Sequence, residues 1–309
     1  MTGNSGKETA GTRAKRLGVA VVGLALLAAT PASAGWQDDF GTLRIGMVSP
    51  SGGRGIAGLG QMTTAFQRAA GIPAEILVAR DYPALIRAMS EGRVHYAIYS
   101  AAAYGASDVL CGCVEPLAAP RGVDGAVGLR AVLIVRRGAI AGLDEMSGAR
   151  VVAGPKGGLG PQSLAMAAMA DVGPAGRAFS VVHAQSHSEA ERIFGSGDAD
   201  ILVGWEPVYG ESGVEPRTGT VERLASRGMD TDELAVIWSS ETIAYGPHVV
   251  RSDLPEELKE RLGRFLVNLR DQQPDIYELV EPHRGGGFRT IDASDYVAAS
   301  RIADGFASR

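Results

Sequence analysis

Apolar and polar positions along the chain follow two alternating periods. Short runs rich in β-branched and aromatic residues are each followed by a stretch with helical spacing. Strand-type runs stand at 43–48, 74–79, 94–99, 129–135, 150–153, 179–182, 200–203, 234–238 and 248–250. In the third of these, Val94, Tyr96 and Ile98 alternate with His95, Ala97 and Tyr99. Helical spacing follows at 62–70, at 161–171 with Pro161 in first position, at 188–194, at 254–269 and at 292–303. Another helix opens at Asp81-Tyr82-Pro83, with Asp81 as its cap, and ends at Gly92. Strands alternating with helices predict an α/β fold with mostly parallel sheets.

The block from Gly92 to Pro120 organises this pattern. It reads as strand, helix, two cysteines and a further strand. Ser100 ends the strand and can cap the helix after it, because its hydroxyl accepts from a first-turn N–H. Open α/β sheets bind small ligands where a strand end meets a helix start. The free N–H groups there favour an anion or a polar oxygen.

The N-terminus departs from the pattern. Lys7, Arg13, Lys15 and Arg16 precede an apolar run at 17–29, and Ala32-Ser33-Ala34 is a small-residue cleavage signal. That order predicts a secretory signal peptide over 1–34, and the apolar run is short for a membrane span. Removing 34 of the 309 residues leaves 275 and takes the net charge from −5 to −8. A chain of that length usually forms two lobes. Its acidity and the lack of a basic patch exclude nucleic acid as the main partner.

Three motifs carry candidate chemistry. Gly53-x-Gly55-x-x-Gly58 matches a dinucleotide fingerprint, but four residues separate it from the preceding strand, where the fingerprint needs direct succession. It is read as a loop. His183 and His187 have i, i+4 spacing but straddle a strand end, so metal binding is the weaker reading. The only two cysteines, Cys111 and Cys113, form either a short-loop disulfide, two inert thiols, or a soft-ligand pair for a thiophilic metal or metalloid. An exported enzyme using the Gly53 loop or the histidine pair is the alternative function, but no nucleophile–base constellation accompanies either.

The order and spacing of several short blocks resemble a known family, the periplasmic phosphate-, phosphite- and phosphonate-binding (PhnD-like) proteins of ABC transporters. The blocks include Leu43-Arg44-Ile45-Gly46-Met47-Val48, Asp81-Tyr82, Val114-Glu115-Pro116-Leu117, Ser186-His187-Ser188-Glu189, Gly197-Asp198-Ala199-Asp200 and Gly287-Phe288-Arg289-Thr290. The resemblance implies a type II, two-lobed α/β binding protein whose lobes are joined by two crossover strands. Lobe 1 would comprise 35–133 and 245–309, lobe 2 would comprise 134–244, and the crossovers would lie near 129–136 and 243–250. It implies a non-enzymatic, cofactor-free, monomeric protein that captures a small oxyanion or oxyacid and serves an ABC permease or a sensor histidine kinase. The family's ligand tyrosines fall on Tyr82 and Tyr99, its pocket histidine on His187 and a pocket acid at Glu206. Ser100 and the loop Gly157-Gly158-Leu159-Gly160 would face the ligand. Two departures stand out: the loop lacks the family's hydroxyls, and Gly246 replaces a pocket acid. Together with Cys111 and Cys113, they lean toward the family's arsenite-sensing branch.

Overall fold

The computed structural model describes residue 1 and residues 35–48, 56–155, 161–171, 178–210 and 219–307. The expected signal peptide, Gly53, Gly55 and the loop Gly157-Gly158-Leu159-Gly160 lie outside the described residues.

The chain runs through α1 (Trp36–Phe40), β1 (Leu43–Val48), α2 (Leu59–Ala70), β2 (Ala74–Ala79), α3 (Tyr82–Ser90), β3 (Tyr96–Ile98), α4 (Ala101–Cys111) and β4 (Val114–Gly122). It then passes through β5 (Ala126–Arg136), β6 (Arg150–Ala153), α5 (Pro161–Ala170), β7 (Ser180–His183), α6 (His187–Gly195), β8 (Ile201–Tyr209), α7 (Thr220–Ala225), β9 (Leu234–Ser239) and β10 (Ile243–Ala244). It returns through β11 (His248–Arg251), α8 (Glu256–Gln272), α9 (Pro274–Val280), β12 (Gly285–Thr290) and α10 (Val297–Ala307).

Two six-stranded sheets result. The first has the order β12-β4-β11-β3-β1-β2, and the second runs β10-β5-β8-β6-β7 with β9 also paired to β5. In the first, β2 and β3 lie parallel to β1, while β11 runs antiparallel to both β3 and β4. In the second, β7 and β8 lie parallel to β6. The sheets change hands twice, at the turn between β4 and β5 and across Tyr245-Gly246-Pro247. The second passage falls within the expected stretch. The first does not: β5 contains the whole apolar run 129–135 and belongs to the second sheet, so the passage lies at the turn after Gly122. An unbroken apolar strand conceals which sheet it joins, whereas the turn, with Gly125 at φ 86°, marks the break.

Each sheet is covered on both faces. On β1, the alternation of side chains sends Leu43, Ile45 and Met47 to one face, where Met62 and Phe66 of α2 and Leu258, Leu262 and Leu266 of α8 meet them. Ala97 and Tyr99 go to the other face, under Leu85 and Met89 of α3 and Ala103 and Tyr104 of α4. The second lobe repeats the plan, with Leu133, Val151 and Val203 on one face and Ile134, Val152 and Leu202 on the other. At roughly 1.5–3 kcal/mol for each buried large apolar side chain, these four clusters dominate the stabilising side of folding.

Candidate functional site

The first lobe presents the start of α4. Ser100 holds extended backbone at φ −75° and ψ 161°, and its Oγ accepts from Ala103 N at 3.1 Å. The remaining first-turn N–H groups add their partial positive charge to the helix dipole. Tyr82 stands beside Ser100. It is the first residue of α3, placed there by Asp81, whose Oδ1 accepts from Ala84 N at 2.8 Å. Burial raises the Tyr82 pKa, and contact with the Ser100 hydroxyl and backbone opposes the rise. The second crossover closes over this corner. Tyr99 N donates to Pro247 O at 2.9 Å, and a Cβ on Gly246 would lie 2.2 Å from Tyr99 O and 2.9 Å from Ser100 Cα. The acid that the resemblance led one to expect at 246 has no room here; only glycine lets the backbone come so near.

Tyr99 does not reach the same space. Its side chain is 2 % exposed and packs inside the lobe, with its phenol oxygen close to the fully buried Ser107 Oγ but without a well-aligned hydrogen bond. Burial pushes its pKa up to about 12. The strand period that buries Ala97 also buries Tyr99, so its phenol lies in the lobe interior while its backbone meets the crossover.

The second lobe presents the ends of β6 and β7 and the starts of α5 and α6. Gly154 follows β6, and a Cβ there would lie 2.5 Å from both Nδ1 and Cε1 of His187. His187, the exposed first residue of α6, thus lies flat on a bare backbone. The α6 start is fixed by Ser186 Oγ, which accepts from Glu189 N at 3.1 Å, and by Glu189, which accepts from Gln185 N at 2.7 Å. His183 Nδ1 lies 3.1 Å from Gly154 O. Gln162 Nε2 donates to Pro155 O at 3.1 Å, while its Oε1 is buried and without a hydrogen-bond partner among the described residues. Gly154, Gln162, His183 and His187 therefore converge where strands end and helices begin, the usual ligand position of such sheets. Gln162 escapes the sequence reading; its signal is a lone amide in a helix otherwise built from Pro161, Ser163 and a run of Ala, Met and Leu.

Glu206 lies on β8 and forms an ion pair with Arg130, opposite it on β5. Arg130, the only charge inside the apolar strand β5 before its last residue, also escapes the sequence reading. Cys111 and Cys113 are joined in a disulfide. Gly112, at φ 55°, ends α4 in the left-handed region and turns the chain so that the sulfurs meet. The pair sits at the opposite end of α4 from Ser100, about 16 Å away at 1.5 Å per residue. Of the three readings of Cys111 and Cys113, the structure has the short-loop disulfide. An apolar groove of about 890 Å³ runs along α4 from Ser100 to Leu110. Ile86, Ala106, Val109 and Ile302 make its walls mostly apolar, with Arg87, Ser90, Glu91 and Ser100 as its polar groups. Gly58 caps α2 at φ 74°, close against Leu279. Among the described residues, no group of three or more His, Cys, Asp or Glu side chains converges as a metal site, and no helix is long and apolar enough to cross a membrane.

Comparisons with known proteins agree with this architecture. XAC2383 from Xanthomonas citri, solved with chloride and with ATP, is 16% identical. The two structures superpose with TM-scores of 0.54 and 0.55, covering 86% of this chain and 98% and 97% of the other. PhnD1 from Prochlorococcus marinus, solved with methylphosphonate, is 12% identical at a TM-score of 0.48, covering 87% of this chain and 99% of the other. Comparison with curated protein sequences gave no match. The fold is that of the type II periplasmic binding proteins. Residues 51–296 match the family described as "ABC transporter, phosphonate, periplasmic substrate-binding protein", and the chain belongs to that family.

Proposed function

We propose that the protein captures a small phosphorus oxyanion (phosphate, phosphite or a phosphonate) and delivers it, as a monomer, to an ABC permease. The carrying observation is the corner at the start of α4, where Ser100, the Tyr82 phenol and free helix-start N–H groups stand together under the side-chain-free Gly246. Donors of this kind suit a hard, charged oxyanion. From the second lobe, His187 and Gln162 would supply further polar contacts, the Arg130–Glu206 pair would set the local charge, and the backbone N–H groups of Gly157, Gly158, Leu159 and Gly160 would replace the missing hydroxyls. Residues 1–34 would direct export and be removed after Ala34.

An arsenite ligand, favoured by free thiols, loses its support because the sulfurs are bonded to each other and stand away from the corner. A thermal-shift panel of phosphate, phosphite, methylphosphonate, sulfate, arsenate and arsenite tests the proposal. A phosphorus oxyanion at a hundredfold excess over its Kd adds about 2.7 kcal/mol of stability, and arsenite adds none. Stabilisation by arsenite alone would overturn it.

A further inference from the structure

The strand order places a second, differently charged cavity behind the crossovers. β4 and β11 lead through the two passages; β3, which delivers Ser100, flanks β11, whereas β12 flanks β4 on the far side. On the β12 side lies a cavity of about 570 Å³, lined by Arg121, Arg270, Arg289 and Asp295 from the first lobe and by Val127 and Gly210 from the second.

The charges do not balance there. Asp295 is already engaged, accepting from Arg289 Nη2 at 2.7 Å and from Asp292 N at 3.1 Å. Arg289 Nε is buried and has no hydrogen-bond partner among the described residues. Arg121 and Arg270 make no ion pair with any described residue, although the chain as a whole carries a net charge of −5. Three guanidinium groups held around one cavity repel each other, and a desolvated N–H without an acceptor adds to the cost. An anion with several oxygens relieves both, since each guanidinium offers a planar fork that matches an oxyanion edge.

We propose that this cavity is a second anion site, separate from the cleft corner, which takes a small oxyanion bearing two or more negative charges. Its walls come from both lobes, so its occupant touches the hinge itself. The inference does not depend on which solute the cleft carries.

Titration calorimetry of the full chain at fixed ionic strength, with pyrophosphate as probe, tests it in three proteins. Wild type and Ser100→Trp, which fills the cleft corner, bind pyrophosphate equally. Arg121→Gln/Arg270→Gln binds it more weakly by about tenfold or more, with its melting temperature unchanged or raised, because two mutually repelling charges are gone. Both arginines are exposed, and the single Arg121→Gln variant gives the same readout should the double change perturb folding. Absence of binding to wild type, equal binding by the glutamine variants, or loss of binding in Ser100→Trp alone would each overturn the proposal.

Discussion

His248 opens β11 immediately after the second crossover and is 1 % exposed. Tyr96 and Phe288 meet its ring edge-to-face, and its Nδ1 meets the Tyr96 hydroxyl. Burial pushes its pKa down to about 3, so the folded protein holds it neutral. In the unfolded chain it regains the ordinary value near 6.5. Between about pH 6.5 and 3 the unfolded state therefore binds a proton that the folded state refuses, and stability falls as pH falls. Each pH unit costs about 1.4 kcal/mol, so at pH 5 this one side chain removes about 2 kcal/mol. His95, held down to about 4 by burial and by Arg44 and Arg251, acts in the same direction. The comparison that isolates His248 is urea denaturation of wild type and His248→Gln at pH 7 and pH 5. Glutamine keeps a polar partner for Tyr96 and does not titrate, and all other groups cancel. Wild type should lose about 2 kcal/mol more than the variant over that interval. Equal pH dependence in the two proteins would refute the claim that His248 is buried and neutral.

Further outcomes follow from the corner and from the disulfide. Tyr82→Phe should weaken oxyanion binding by about 1.5–3 kcal/mol in calorimetry, and unchanged affinity would remove the phenol from the site. Gly246→Ala forces a Cβ toward Tyr99 O, a contact of 2.2 Å without rearrangement; it should cost about 1–3 kcal/mol in urea denaturation and lower ligand affinity with it. Cys111→Ser/Cys113→Ser should lose about 1–2 kcal/mol of stability, as expected for so small a closed loop, and leave oxyanion affinity intact. Loss of binding in that variant would return the sulfurs to the site.

Features set by near neighbours in sequence were legible before the fold was known. The strand–helix alternation, the Ser100 cap and the Asp81 cap depend on a few adjacent residues, and they appear as read. The site was less legible. The alternation that buries Ala97 also buries Tyr99, and the family resemblance pulled Tyr99 the other way. Arg130 and Glu206 meet because of a register between strands 76 residues apart, for which no local pattern exists. Gln162 gains its meaning from Pro155, Gly154 and His187, which only the fold brings beside it. The first crossover was misplaced because burial in an apolar strand looks the same in either sheet.

The position of β11 carries a consequence for the order in which the molecule can be assembled. β11 lies between β4 and β3, yet it is made more than a hundred residues after either. A chain emerging from its N-terminus therefore produces β1, β2, β3 and β4 with an empty slot among them. The second lobe, built from one continuous stretch, has all its strands before β11 exists. Until β11 slides in, β3 and β4 expose unpaired backbone edges, which are templates for pairing with other chains. The corner at Ser100 waits for the same step, because its roof, Gly246-Pro247, arrives with the same segment. Within the first lobe, only α8, α9, β12 and α10 remain to be added after it.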